Sequence, residues 1–267
     1  MAESGTSEPS ILRDTAVSGS DELAGLRIDW AVACHVGSVR AANEDAVLVQ
    51  PGRYLLADGM GGHDSGELAS EAALQTLAAA PVGDELDETT AALANLLDEA
   101  QERIGDLDGD PARRAGTTAT GVVLATAHGE PHWVGFNIGD SRTYLLTGGK
   151  LKQVSVDHSQ VQELIEAGVL TPETARIDPR RNVITRALGA GMTAPEADYT
   201  AFRAVPGDVV LLCSDGLNGE LTDDEIEFVL RQTPDLRVGV EALVEAALAC
   251  GAHDNVSVVL VTVSPAE

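Results

Sequence analysis

Four apolar runs in this chain each meet an aspartate at one end: YLLADG (54–59), GFNIGD (135–140), VVLLCSDG (209–216) and HDNVSVVLV (253–261). An apolar stretch of about four to eight residues bounded by Gly and Asp reads as a buried strand. An unpaired carboxylate inside such a strand is too costly, so Asp58, Asp140, Asp215 and Asp254 are expected at strand ends, sharing one rim of a sheet core. Carboxylates brought together raise one another's pKa and require a counter-charge. A divalent cation supplies it, and oxygen-only ligands favour a hard ion such as Mg²⁺ or Mn²⁺. Asp-Gly and Gly-Asp-Ser are also common turn sequences. For any single one of the four a plain turn is an adequate reading; together, each abutting a buried run, they favour a metal site.

The elements that must position those carboxylates follow from the hydrophobic pattern. Residues 1–26 are rich in Ser, Gly, Glu and Asp without periodicity, and are expected to form a flexible acidic tail. Strands are expected over IDWAVACHVG, DAVLVQ, YLLADG, TTATGVVLAT, HWVGFNIGD, RTYLLTGG, 197–204, 208–213 and NVSVVLVTV. Helices are expected at 65–80, 87–107, 159–167, 222–232 and 236–249. The second carries Leu93, Leu97, Ala100 and Ile104 as a helical stripe, and Thr222 with Glu225 forms a capping box. Strand runs interrupted by paired helices predict an α+β fold: a four-layer α-β-β-α sandwich of two packed antiparallel sheets flanked by helix pairs.

Composition narrows the function classes. The 267 residues carry 43 acids against 17 bases, a formal net charge of −26, which disfavours nucleic acid and anionic membranes as partners. No stretch reaches the roughly 18–20 continuous apolar residues of a membrane span, and no basic segment followed by an apolar core marks a signal peptide at the start. A soluble, cytoplasmic protein is the expectation, with monomer as the default state. Cys34, Cys213 and Cys250 show no CxxC, stand in apolar surroundings and read as small buried hydrophobes in a reducing compartment.

Eight motifs then occur in order: RAANED (40–45), DGMGGH (58–63), GTTA (116–119), NIGDSR (137–142), DHS (157–159), ITRALG (184–189), CSDGL (213–217) and HDNVSVV (253–259). With them the chain resembles the metal-dependent Ser/Thr protein phosphatases of the type 2C (PPM) family, in their bacterial form. The resemblance covers about residues 29–263 and implies a catalytic domain over 27–264, with a flap at about 168–183. It implies two tightly bound Mn²⁺ or Mg²⁺ ions and a third, weaker one. By motif, Asp58 resembles the carboxylate bridging two ions, with the Gly59 carbonyl completing one sphere, and Asp215 and Asp254 resemble the other direct ligands. Asp45, with Glu44 beside it, resembles the acidic pair that holds metal-bound water. Asp140 resembles a ligand of the third ion, Arg40 the arginine that grips the substrate phosphate, and Asn255 is expected to orient the last ligand loop.

The activity implied is hydrolysis of phosphoserine and phosphothreonine by direct attack of a metal-bridging hydroxide, opposing a bacterial Ser/Thr kinase. The residue types suit it. Two cations roughly 3.5–4 Å apart acidify a shared water and neutralise developing charge, and a guanidinium fork matches two phosphoryl oxygens. The competing role for Arg40 is a surface salt bridge to a nearby acid.

The family pattern is not complete. Animal members carry a His two residues after the bridging Asp, where this chain has Met60; many bacterial members carry a His-Pro in the flap, where it has Asp178-Pro179. His63 is the candidate general acid, with a loop-fixing hydrogen bond as an equal alternative and a third-ion water as another donor. Gly219, followed by Glu220, stands where some members have a further Asp for the third ion. His158 and His253 read as loop-fixing groups. Arg176, Arg180 and Arg181 make the flap the most basic stretch, suited to docking acidic phosphopeptides or simply solvated. Two other functions stay open: a pseudophosphatase-like binding module, and a phosphatase of a small phosphorylated metabolite.

Overall fold

The apolar runs become strands because each has an apolar layer on both faces, so neither face needs the polar alternation of a half-exposed strand. The computed structural model describes residues 11–61, 65–107 and 114–266. The chain opens with β1 (Ile11–Leu12), β2 (Ala16–Leu23), β3 (Leu26–His35), β4 (Ala46–Gln50), β5 (Arg53–Ala57) and β6 (Gly59–Met60). Helices α1 (Ser65–Leu77) and α2 (Leu86–Asp106) follow, then β7 (Gly116–Thr117), β8 (Ala119–Ala127), β9 (Glu130–Ile138), β10 (Arg142–Thr147) and β11 (Lys150–Gln153). Next come α3 (Gln160–Glu166), α4 (Pro172–Ala175) and β12 (Leu188–Gly189). After β13 (Asp198–Arg203) and β14 (Val209–Cys213) come α5 (Asp215–Asn218), α6 (Asp223–Gln232), α7 (Leu236–Cys250) and β15 (Val256–Pro265).

Two six-stranded sheets form, in the orders β1-β4-β5-β8-β9-β13 and β11-β10-β14-β15-β3-β2, and their strand pairings are antiparallel. Alternation along single strands sorts side chains between layers. Tyr54 and Leu56 of β5 join Val122, Leu124, Val210, Leu212 and Val259 between the sheets. Leu55 and Ala57 face outward, with Val123 and Phe136, onto Leu74, Leu77, Leu93 and Leu97 of α1 and α2. On the other side Leu211, Cys213, Val258 and Leu260 meet Ile226, Leu243 and Ala247 of α6 and α7. Three apolar interfaces between four layers give the α-β-β-α sandwich expected of the sequence. The stripe Leu93, Leu97, Ala100 and Ile104 is fully covered, each large side chain contributing about 1.5–3 kcal/mol of burial. The Thr222–Glu225 capping box forms in both directions.

The flexible tail expected over residues 1–26 does not hold for 11–26. Ile11–Leu12 pairs with β4, and Ala16–Leu23 pairs with β3 through all eight residues. Composition hid this strand because its stability comes from backbone pairing at a sheet edge, where one face stays polar, and Gly19 leaves room for the Trp30 ring to lie across it. Residues 1–10 lie outside the described residues. Cys34 and Cys213 are buried as expected, but Cys250 ends α7 on its exposed face. Among the described residues no helix is long and apolar enough to cross a membrane.

Candidate metal centre

All four strand-end aspartates sit on one rim. Asp58 follows the last residue of β5 and Asp45 precedes the first of β4; Ala46 pairs with Ala57, so the two lie side by side. Asp140 leaves β9, Asp215 opens α5 directly after β14, and Asp254 precedes β15, which pairs with β14. Close backbone approach brings the last two loops together: a Cβ on Gly216 would strike the Asn255 carbonyl. Gly59 is hemmed in likewise by the carbonyls of Gly66 and Glu44.

A small third sheet, β12-β7-β6, joins three of the sequence motifs, pairing Gly59 with Thr117 and Thr117 with Leu188. The threonines of GTTA clamp Asp58 by its backbone. Thr118 N and Thr117 Oγ1 both donate to the Asp58 carbonyl at 2.9 Å, and Asp58 N donates to Thr118 Oγ1 at 3.0 Å. Thr118 Oγ1 also meets Ser141 Oγ at 2.8 Å, tying the DGMG and GDSR loops together.

Electrostatically the rim is a single object. Burial raises the Asp58 carboxyl well above the usual range, and repulsion from Asp45, Asp215, Asp140 and Asp254 adds to it. Asp45, with no exposed surface, is pushed up to about 7, chiefly by burial, against a hydrogen bond from Ser214 Oγ at 2.7 Å. Burial and Asp254 bring Asp215 to about 6, while Asp140 rises through burial and Asp215. Asp58, Asp215 and Asp254 keep some surface in the mouth of the cleft. The other oxygen of Asp45, Oδ1, is buried with no partner in hydrogen-bond geometry, although the Ser257 hydroxyl lies close enough to favour the ionised carboxylate.

Arg40 is the cation nearest the rim with a direct contact: its Nη2 donates to Asp254 Oδ2 at 2.6 Å, and half its side-chain surface remains exposed. The salt bridge set against phosphate recognition is therefore present, on an acid of the site itself. No three carboxylates or imidazoles close into a ready ligand set among the described residues. Mutual repulsion, Arg40 on Asp254 and Ser214 on Asp45 all favour that spread arrangement. The donor set nonetheless fits a hard divalent cation: oxygen donors only, raised carboxyl pKa values, and an unpartnered buried carboxylate oxygen.

Around the carboxylates, Asn255 stitches the loop after β3. Its Nδ2 donates to the Val36 and Ala42 carbonyls at 2.9 and 3.0 Å, and its Oδ1 accepts from Glu44 N at 2.9 Å. His158 Nδ1 accepts from Gly139 N at 3.2 Å, beside Asp140, and its Nε2 lies 3.3 Å from Asp198. His253 pairs with Glu220 at 2.7 Å, which spends the carboxylate following Gly219 on loop structure. His63 lies outside the described residues. Sequence reasoning missed Ser214, whose signal was its place just before Asp215, and Arg13, the single base among the first 26 residues.

A cavity of about 620 Å³ opens from Asp140 and Asp215, bordered by Arg142, Asp157, Arg176 and Arg181. Arg176, Arg180 and Arg181 are not a free basic face. Arg176 donates to the Asn218 carbonyl at 3.0 Å. Arg180 is held by Asp178 through Nε and Nη2, both at 2.8 Å, and in return drives Asp178 down to about 2. Arg181 points toward α5 and stabilises the charged form of Asp215.

The chain is similar to proteins of known family. The family profile for protein phosphatase 2C matches residues 37–250. The serine/threonine protein phosphatase PstP of Mycobacterium tuberculosis is 40% identical over 246 residues, which cover 89% of this chain and 45% of that protein. This chain thus spans about half the length of that relative. The protein phosphatase PhpP of Streptococcus pneumoniae is 36% identical, with 86% of this chain and 95% of that protein covered. The crystal structure of the M. tuberculosis phosphatase superposes with a TM-score of 0.76 at 37% identity, over 88% of this chain and 98% of the other. A structure of the PstP catalytic domain in complex with two manganese ions gives 0.75 at 37% identity, over 89% and 99%. The chain belongs to the protein phosphatase 2C family.

Proposed function

We propose that this protein is a metal-dependent Ser/Thr protein phosphatase that hydrolyses phosphoserine and phosphothreonine esters by direct in-line attack of water, with no phosphoenzyme intermediate. One observation carries the reading: five mutually repelling carboxylates, Asp45, Asp58, Asp140, Asp215 and Asp254, face one another at a single rim with a buried Asp45 oxygen unpartnered. The manganese-bearing relative supports the same ion class here.

In this reading Asp58 and the Gly59 carbonyl would hold a pair of Mn²⁺ or Mg²⁺ ions, with Asp215 and Asp254 as further ligands and Asp45 and Glu44 to hold their waters, and Asp140 would serve a third, weaker ion. Bound, the ions acidify water and screen the phosphoryl charge. Thr117 and Thr118 fix the Asp58 loop, and Asn255 fixes the loop bearing Arg40 and Glu44. Arg40 turns its exposed guanidinium edge to two phosphoryl oxygens. His63 remains the candidate donor to the leaving alkoxide. The catalytic unit includes β1 and β2 and works as a monomer in the cytoplasm, where the buried thiols of Cys34 and Cys213 stay reduced. Its substrates are phosphoproteins, and its counterpart is a Ser/Thr kinase.

The deciding experiment is hydrolysis of a phosphothreonine peptide and of p-nitrophenyl phosphate in EDTA, Mg²⁺ or Mn²⁺, for wild type and Asp215→Asn. Expected is metal-dependent turnover of both substrates that collapses in the variant. Turnover of the aryl ester alone would move the substrate to a small phosphorylated metabolite. No turnover with any metal would leave a binding module.

Flap substitutions separate docking from charge tuning. Arg180→Ala is expected to leave peptide turnover within about twofold, since Asp178 already neutralises it. Arg181→Ala is expected to depress both substrates together, because its charge acts on Asp215. A loss confined to the peptide in Arg180→Ala would restore the docking role.

A further inference from the structure

We infer that the segment 13–15 is a positioning strap for the acidic loop 43–45, with Arg13 and Asp14 its working side chains; the inference rests on the metal-centre reading above. The family profile begins at residue 37, so the family match assigns these residues no role.

The strap crosses from one sheet to the other. Ile11–Leu12 forms the edge of the first sheet beside β4, and Ala16–Leu23 forms the edge of the second beside β3. Only three residues join them, and the turn puts Asp14 at φ 45°, a left-handed conformation that Asp and Asn tolerate better than most residues. Thr15 anchors the crossing by accepting from Cys34 N at 2.8 Å.

From that position both backbone groups of Asp45 are held. Arg13 Nε donates to the Asp45 carbonyl at 2.9 Å. Asn43 donates from Nδ2 to Asp14 Oδ1 at 2.9 Å and accepts from Asp45 N through its own Oδ1 at 3.2 Å, so Asp14 orients the side chain that holds the Asp45 amide. The neighbouring carbonyl is held at one remove: Arg13 Nη2 donates to Ser70 Oγ at 3.0 Å, and Ser70 Oγ donates to the Glu44 carbonyl at 2.7 Å. The rest of the guanidinium fastens to α1, through the Glu67 carbonyl at 2.7 Å and the carboxylates of Glu67 and Glu71 at 3.1 and 3.3 Å. Asn43, Asp45 and Ser70 are all buried. The strap thus fixes the Asp45 backbone at N and O, and from that fixed backbone Ser214 on Oδ2 and the nearby Ser257 hydroxyl orient the carboxylate.

A strap that only adds stability would lower the Tm without touching metal affinity; a positioning strap changes affinity in protein that remains folded. The test compares full-length wild type, Arg13→Ala, Asp14→Ala, Asp14→Asn and Glu71→Gln. It measures Mn²⁺ affinity by calorimetry on chelator-stripped protein, Tm by circular dichroism, and kcat and KM on a phosphothreonine peptide. Arg13→Ala and Asp14→Ala are expected to weaken Mn²⁺ binding about tenfold or more and to lower kcat comparably, with KM within about twofold. Asp14→Asn keeps the acceptor and should match wild type, as should Glu71→Gln, which loosens Arg13 only from α1. Should Arg13→Ala fail to fold, the Asp14 pair decides. Wild-type Mn²⁺ affinity in a folded Asp14→Ala, or an equal loss in Glu71→Gln, overturns the strap. Wild type that binds no Mn²⁺ overturns the metal centre and the strap with it.

Discussion

Asp58→Asn is expected to remove nearly all turnover, about 10²–10³-fold or more, and at the same time to raise the Tm of the chelated protein. The two effects have one origin. Asp58 feels repulsion from Asp45, Asp215, Asp140 and Asp254 together, so it is the carboxylate best placed to share cations and the worst placed without them. At neutral pH without metal it is either ionised against its neighbours or protonated against the solution, and both cost native-state free energy. Asparagine keeps the shape and removes the ionisation. The loop survives, because Thr117 and Thr118 hold Asp58 only by its backbone. Removing the ionisation is expected to stabilise, by about 1.4 kcal/mol for every tenfold difference in proton affinity between the native and unfolded carboxyl, enough to read as a rise of a few degrees in Tm for a domain of this size. Turnover is read in saturating Mn²⁺ and Tm in EDTA. A variant that loses activity and also melts earlier in EDTA would show Asp58 to be a structural anchor instead.

How much of this was legible beforehand depends on where each residue's information lies. The rim could be read because a carboxylate at the end of an apolar run has few physical alternatives, and Asp58, Asp140, Asp215 and Asp254 each stand in that position. The layers followed from Leu93, Leu97, Ala100 and Ile104, whose spacing leaves one helical face to bury. Residues 16–23 gave no such signal: an edge strand of Ser, Gly, Asp and Glu is held by ladder bonds to β3, which composition does not encode. Arg13 was equally hidden, since its partners Asp45 and Glu67 lie 32 and 54 residues away. The flap arginines misled in the opposite direction. Their number suggested a basic face, but Asp178 and the Asn218 carbonyl absorb Arg180 and Arg176. Asp178, expected only as a departure from the resemblance, forms a local latch with Arg180.

Stripped of metal, the protein is expected to lose stability as pH rises from about 5 to 7.5, against the usual behaviour of acids held in salt bridges. Asp45 titrates near 7 and Asp215 near 6 in the native state, against 3.8 when unfolded. Between those values the native state holds protons that the unfolded chain has released, so unfolding free energy falls with rising pH and the loss is complete only above about 7. Every tenfold difference in proton affinity between the native and unfolded states is worth about 1.4 kcal/mol, and a Tm several degrees lower at pH 7.5 than at pH 5.5 in EDTA is the expected reading. Repulsion across a surface of net charge −26 runs in the same direction, but about 0.5 M salt screens exposed charges far more than buried ones. The slope should therefore persist in salt and shrink in Asp58→Asn. Saturating Mn²⁺ should reverse it, because binding requires deprotonated carboxylates and stabilises most where they are ionised. A Tm in EDTA that is flat or rises between pH 5.5 and 7.5 would mean that the carboxylates are compensated within the protein, and the case for cations at this rim would lose its physical basis.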